Sequence, residues 1–588
     1  MRYTWRTKGP ENQTAMPILN SNALTTTVIL LAASLALGAD APATLPAPPA
    51  PLSPEKAQAG FQIDPGLRME LVAAEPDVQS PVEIAFDEQG RLWVVEMPDY
   101  PNGPEPGAKP AGRVKILEDR DGDGRYEHVT VFAEGLLFAN GILPWKDGAL
   151  VTAAPEIALL RDTNGDGKSD ERDPLYEGFT AGNPQLRVSH PTLGFDNWIY
   201  VSNGLRGGKA HRIGRPETEV FDLSGMDFRF DLIHDRAEAI SGMGQYGLTF
   251  DRWGRRFVCD NSHHLRQIVL PNRYLKNNPF LAVPAVIQDV PEAERGQGGA
   301  GAKVYPLSKT WTTSSLHTGH FTAACSVTIY EGDLLPEAYR GAAFTCEPTG
   351  NLVHQEVLQP NGATFRSRPA RDGVEFLATT DPWFRPVNLT VGPDGALYVV
   401  DMYRAVIEHP EFMPPELKTR PDLNLGKDRG RIWRIVPDGK TERASRPNLN
   451  KVSTPDLVAV LGHPNSWQRT TAQRLLLQRQ DPKANEPLRE VVRNSDRPLA
   501  RLQAAWLLEG AKALDDDLLL GLLKDDEAGV REHAVRIAES RLTSSRAIQD
   551  QVLALADDPG PRVRFQVALS LGQSKDAKVL TSLAKVAL

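Results

Sequence analysis

The sequence predicts an all-β, six-bladed β-propeller followed by an all-α solenoid of HEAT-like repeats, and three observations predict it. A hairpin pattern recurs six times between about residues 80 and 405. Strand-type alternation stops near Thr454. Beyond it, amphipathic helical patterns recur around arginines spaced 32, 30 and 33 residues apart.

Taken in order, the chain opens with residues 1–41, where the apolar run Val28–Leu37 precedes the small residues Gly38-Ala-Asp-Ala41. This reads as an export signal, with an uncleaved N-terminal anchor as the alternative, because the run is too short to span a bilayer comfortably. Arg2, Arg6 and Lys8 lie far upstream, and Met16 is an alternative start. The expectation is an exported protein, periplasmic or in the cell envelope, with membrane association if the signal stays. Residues 42–57 are rich in Pro and Ala and read as a stiff, extended linker.

The propeller is expected over residues 58–440. Four copies of its hairpin are clear: Pro81–Val95, Pro191–Val201, Tyr246–Val258 and Pro386–Val400. Each joins two period-two segments through a turn such as Pro393-Asp-Gly395. Asn140–Val151 and Ser326–Tyr330 with Gly341–Cys346 are weaker copies, which makes six units. Met69–Ala74 and Arg431–Val436 flank the set and are expected to pair within one blade, closing the ring and removing its open edge. Residues 441–452 read as a linker, and 453–588 as HEAT-like repeats built around Arg469, Arg501, Arg531 and Arg564. Ala584–Leu588 is still apolar and helical in pattern, so the stack reads as truncated.

Composition excludes several classes. A chain of 588 residues exceeds one core. A net charge of −9 without a basic stripe argues against nucleic acid as a partner. The three cysteines, Cys259, Cys325 and Cys346, lack zinc-finger, CxxC and CxxCH spacing, which argues against a structural zinc, a thioredoxin-type site and covalent haem c within this chain. A Cys325–Cys346 disulfide and three buried thiols are both open readings.

Two acidic loops have calcium-loop spacing: Asp119, Asp121, Asp123 and Glu127 around Gly124, and Asp162, Asn164, Asp166 and Asp170 around Gly167. Alternating carboxylates of this kind converge on a hard cation, and the glycine permits the turn. Asp173 fills the twelfth position of the second loop, whereas the first has Thr130 there. Acidic β-turns, rich in Asp and Gly for backbone reasons, are the competing reading.

Polar residues at blade starts and strand ends ring the mouth of a propeller channel. His190, His264, His317, Arg404 and Asp401 are candidate catalytic groups, since histidine can take an alcohol proton and arginine can hold a carboxylate. Gln245, His263, His320, Tyr403, Glu408 and His409 are candidate cofactor-binding groups, with Asn261 beside them.

The runs His317–Tyr330, Phe344–His354 and Asp401–Pro410, with the two acidic loops, resemble the membrane-bound dehydrogenase family of planctomycete and verrucomicrobial (PVC) type. That family joins a quinoprotein glucose dehydrogenase-like propeller to HEAT repeats and often to a haem-binding CxxCH module. The resemblance, over about residues 60–440, implies pyrroloquinoline quinone (PQQ) and calcium. It further implies a sugar or alcohol substrate and a c-type cytochrome as electron acceptor. Two departures stand out: Met243 occupies the place of the quinoproteins' arginine, and His190 precedes Leu193 by three residues rather than five. The two functional expectations are therefore an exported sugar or alcohol oxidoreductase and a non-catalytic carbohydrate- or protein-binding scaffold.

Overall fold

A computed structural model describes residues 50–588, save 216–217, 279, 281, 284, 293–301, 309–318, 410–412, 414–422, 440–446, 575 and 588. The signal or anchor segment, 1–41, lies outside the described residues, as does most of the 42–57 linker. The described end of that linker is not all extended: Ser53 caps a short helix, Pro54–Ala59, by accepting the Lys56 amide. Proline at the first helical position is what the extended reading overlooked, since it fits a helix start as well as a stiff coil.

Six antiparallel sheets follow one another, one per hairpin repeat. Blade 1 begins with Pro81–Phe86, blade 2 with Gly141–Trp145 and blade 3 with Ser189–Leu193. Blade 4 begins with Leu248–Phe250, blade 5 with Cys325–Ile329 and blade 6 with Pro386–Val391. These first strands are the innermost and line the axis. Blade 2 is widened by Gly208–Arg212 and Val220–Asp222. Blade 5 takes Phe61–Ile63 at its edge, on Leu377–Thr379.

Ring closure is as expected. Leu67–Ala74 pairs antiparallel with Arg431–Pro437, with Met69 opposite Ile435, and completes blade 6. Aromatic pairs fill the seams between blades: Phe86 on Tyr398 at 4.9 Å, and Tyr176 on Phe228 at 5.1 Å. Cys325 and Cys346 stand directly opposite each other as buried free thiols, and Cys259 is likewise free and buried.

Helices Thr454–Val460, Ser466–Arg479, Asn485–Asn494 and Pro498–Gly510 begin the solenoid. Asp516–Leu522, Ala528–Ala538, Arg546–Ala554, Pro561–Leu571 and Val579–Ala587 continue it. The repeated arginines have a definite task. Arg501 and Arg531 reach back to the carbonyls of Ser495 and Asp525, and forward to Asp525 and Asp558 of the following repeat. Each thus satisfies its own helix entry and pins the next unit.

The solenoid lies across the propeller end formed by the turns between first and second strands. Asn465 donates to Gly392 and Pro393 carbonyls, Gln473 to Gly194, and Arg474 to Pro144 while pairing with Glu88 at 3.0 Å. Gly529, in Ala528–Ala538, lets that helix settle directly on the Trp253 ring; a Cβ there would overlap the indole.

This contact generates a test with opposite signs for two effects. Helix propensity alone says that Gly529→Ala gains about 1 kcal/mol. Overlap with Trp253 says that it loses roughly 1–3 kcal/mol. Loss is expected, read as a lower denaturation midpoint in urea.

Candidate functional site: the propeller channel

The innermost strands begin with irregular register, at Pro81/Glu83, Ser189/Thr192, Cys325/Thr328 and Pro386/Asn388. Ser80, His190 and Ser326 take positive φ values of 49°, 54° and 50° there. Such bulges re-aim side chains. Here they gather Glu83, His190, Tyr246 and Asn388 across the waist of the channel.

Glu83 Oε1 accepts the Ile142 amide at 3.1 Å. Its Oε2 is 3.5 Å from His190 Nδ1, beyond a good hydrogen bond, and has no hydrogen-bond partner. Asn388 Nδ2 lies 3.3 Å from His190 Nε2; with the amide donating, the imidazole proton sits on Nδ1, facing Glu83 and Ser189 Oγ. Asn388 Oδ1 is also buried without a partner. The Tyr246 ring meets the His190 edge at 4.5 Å, and its hydroxyl donates to the Val82 carbonyl at 2.7 Å. Burial outweighs the hydrogen bond from the Ile142 amide and pushes Glu83 up to about 8. Burial likewise pushes His190 down to about 3. Near neutral pH the pair is therefore an uncharged acid beside an uncharged imidazole.

Glu83, His190 and Asn388 line a cavity of about 290 Å³ bounded by the innermost strands of all six blades. Helix Ser466–Arg479 floors it with Trp467, Thr470 and Thr471. A smaller cavity of about 110 Å³ lies at the opposite mouth, lined by Tyr100, Gln185, Gln245, Tyr246, Asn261 and Glu408.

The structure scatters the candidates read from the sequence. His190 is in the channel, and Gln245, Asn261 and Glu408 reach the mouth, where Gln245 and Asn261 bond each other at 2.8 Å. Arg404 does not: it is buried against the carbonyls of Met97, Pro98 and Tyr100 and the Ser80 hydroxyl. Asp401 is a framework residue whose carboxylate accepts from the Arg385 and Tyr403 amides and the Trp433 indole; burial pushes it up to about 7. The Tyr403 hydroxyl bonds Asp381 and Leu52, under the Arg431 guanidinium at 3.5 Å. His263 pairs with Asp260 at 2.9 Å, a bond that raises its pKa against the opposing effect of burial. His264 sits between blades 4 and 5, against Glu356 and Phe321. His320 bridges Lys303, and the His409 amide donates to Glu408. His317 lies outside the described residues.

Sequence reasoning missed Glu83 and Asn388. The signal was in the repeats: Pro81-Val-Glu83 and Pro386-Val-Asn388 are equivalent triplets, so their third residues occupy matching blade positions.

Asp119, Asp121, Asp123 and Glu127 offer oxygens that all lie within 4.8 Å of one another. Asp119 already accepts the Gly122 and Gly124 amides. In the second loop, Asp162 accepts the Gly165 and Gly167 amides, Asn164 the Asp166 amide and Asp166 the Lys168 amide. Asp170 turns to Thr163, and Asp173 is placed in a strand opposite Leu159. Both loops join third to fourth strands, at the blade end away from the mouth, so a cation there would not touch the channel contents. Nor does the mouth fit a tricarboxylate quinone: its described lining contains Glu408 and no cation, and Arg385, Arg404 and Arg431 are bonded into the framework.

Residues 53–439 match a family described as a domain of unknown function, DUF7133. The chain belongs to that family. Residues 516–588 match HEAT repeats. No curated protein matches the chain. Among solved structures it is similar to an oxidoreductase described as a glucose dehydrogenase from Thermus thermophilus, at 16% identity and a TM-score of 0.32, covering 63% of this chain and 100% of that one. It is similar to the PQQ domain of pyranose dehydrogenase from Coprinopsis cinerea, at 12% identity and TM-score 0.35, covering 64% and 97%. The WD40 repeats of RRP9 match at 8% identity and TM-score 0.32, covering 65% and 98%. Likenesses this distant do not bear on activity.

A raised carboxyl pKa predicts a pH-dependent stability. The folded DUF7133 domain holds the Glu83 proton up to about 8 while the unfolded chain releases it near 4.5. The stabilisation is complete below the unfolded value and is lost as pH rises through the folded one. Relative to Glu83→Gln, the wild type is expected to lose on the order of a few kcal/mol between pH 5 and 9, measured by urea denaturation.

Proposed function

We propose that this chain is an exported propeller oxidoreductase that oxidises a small sugar or alcohol within its channel. The observation that supports this is the buried Glu83 Oε2 in the cavity wall, with Asn388 Oδ1 unpaired near it. A protonated carboxyl and an amide oxygen offer a donor and an acceptor, a pair complementary to a hydroxyl-bearing ligand. Oxidation of a hydroxyl-bearing carbon requires a base for the O–H proton while the C–H hydrogen leaves as hydride. Glu83, poised near 8, is such a base at mildly alkaline pH. His190, fixed between Asn388 and Ser189, holds the carboxyl side of the cavity in place. Such an oxidation would need a two-electron acceptor; the family resemblance implies one of quinone class with a c-type haem partner, for which the described mouth lining offers no cation. Among the described residues no helix is long and apolar enough to cross a membrane.

A non-catalytic scaffold is the second reading. It is favoured by Arg385, Arg404 and Arg431 all being consumed by the framework.

The test is turnover of a sugar and alcohol panel with an artificial electron acceptor, with and without added PQQ and calcium. Dye reduction that rises with pH through about 8 is expected. Glu83→Gln is expected to lower kcat by roughly 10²–10⁴-fold with little change in KM. Ligand retention without turnover in either protein would instead establish the scaffold.

A further inference from the structure

A second polar cluster lies off the channel. His264 comes from the third strand of blade 4, His263–Ile268, and His354 and Glu356 from the third strand of blade 5, Leu352–Asn361. The two-residue interval puts His354 and Glu356 on one face of their strand. All three are buried, at 1%, 3% and 2% exposure.

Their ligand atoms lie within 4.8 Å of one another. Glu356 Oε1 is 3.2 Å from His354 Nε2 and 3.3 Å from His264 Nε2. Charge-assisted hydrogen bonds between such groups run at about 2.7–2.9 Å. The other nitrogen of His354 makes one of ordinary length, 2.7 Å to Glu375 Oε2. The two longer contacts instead match the edge of a tetrahedron around a cation with bonds of about 2.0 Å, which is about 3.3 Å. Glu356 Oε2 is buried with no hydrogen-bond partner and is available for a further coordination position.

We propose that His264, His354 and Glu356 hold a divalent cation of zinc type in the seam between blades 4 and 5. Glu375 is the positioning residue: it accepts from Nδ1 of His354 and so turns Nε2 towards the cation, the usual carboxylate–histidine–metal arrangement. Phe321 stacks on the His264 ring at 4.3 Å and 14° and holds its plane. Two imidazoles and a carboxylate suit zinc better than calcium, which takes oxygen ligands. No linear spacing announces the site, because its ligands come from two blades. It stands independently of the channel reading.

The test uses the whole chain, purified without chelator and held in excess calcium to occupy oxygen-only loops. One zinc per chain by elemental analysis is expected. After chelation, added Co²⁺ is expected to give the visible d–d bands of a four-coordinate site, and zinc to displace them. Glu356→Gln and His354→Ala are expected to abolish the bands with the far-UV circular dichroism unchanged. Glu375→Gln is expected to weaken zinc binding by about 10–100-fold. If the ligand variants do not fold, the wild-type cobalt spectrum and Glu375→Gln decide. Folded wild type that binds neither metal stoichiometrically, or variants that bind as tightly as wild type, would overturn the proposal.

Discussion

The ring is held by one strand pairing. Leu67–Ala74 and Arg431–Pro437 come from opposite ends of the propeller sequence, and every blade between them depends on their meeting. A closure between segments so far apart in the chain costs loop entropy that the ladder and the contacts around it must offset. The pairing is reinforced by charge and by packing. Arg434 bonds Glu70 at 2.6 Å and Asp394 at 3.1 Å, and Arg431 is buried against Glu75. Trp433 is fully buried, with Phe61 edge-on at 5.2 Å. The N-terminal segment therefore clasps two blades, through Phe61–Ile63 on blade 5 and Leu67–Ala74 on blade 6. The short helix before it, tied to Tyr403 through Leu52, belongs to the clasp rather than to a linker.

A closed ring presents turn carbonyls at its end, and those carbonyls receive the solenoid. Asn465, Gln468, Gln473 and Arg474 all donate to backbone oxygens of the blade turns. Such contacts are indifferent to the side chains of the turns but demanding of their positions, so the helices fit only a propeller whose turns are in place. The seating has a functional consequence. Ser466–Arg479 floors the channel at this end, and the opposite mouth is lined by Gln245, Asn261 and Glu408.

The architecture was legible in the sequence because it is repetitive. Hairpins of period two, each with its own turn, announce blades. Arginines at thirty-odd residues announce helix pairs, since each arginine serves the same backbone carbonyls in its own unit. The site was less legible, for a physical reason. Histidine and arginine attract attention by their chemistry, yet Arg404 and Asp401 spend theirs on backbone groups of the frame. The residues that meet across the channel are defined by position within a repeat. Glu83 became visible only when its blade was laid beside the one containing Asn388. His264 was noticed, but its partners His354 and Glu356 lie in another blade, a separation that no spacing rule covers.

The seam between blades 4 and 5 combines two kinds of contact. At one place it is closed like its neighbours by aromatic packing, Phe257 on Phe365 at 5.6 Å. At another, two imidazoles and two carboxylates come together. Apolar substitutes of similar volume would hold two sheets together at least as well, because desolvating four ionisable groups costs more than their mutual attraction returns unless the geometry is close to ideal. Stability alone therefore does not account for this seam. Of these four ionisable groups, three bring ligand atoms within 4.8 Å of one another and the fourth accepts from one of them. Mere packing does not require that convergence, whereas a bound cation does.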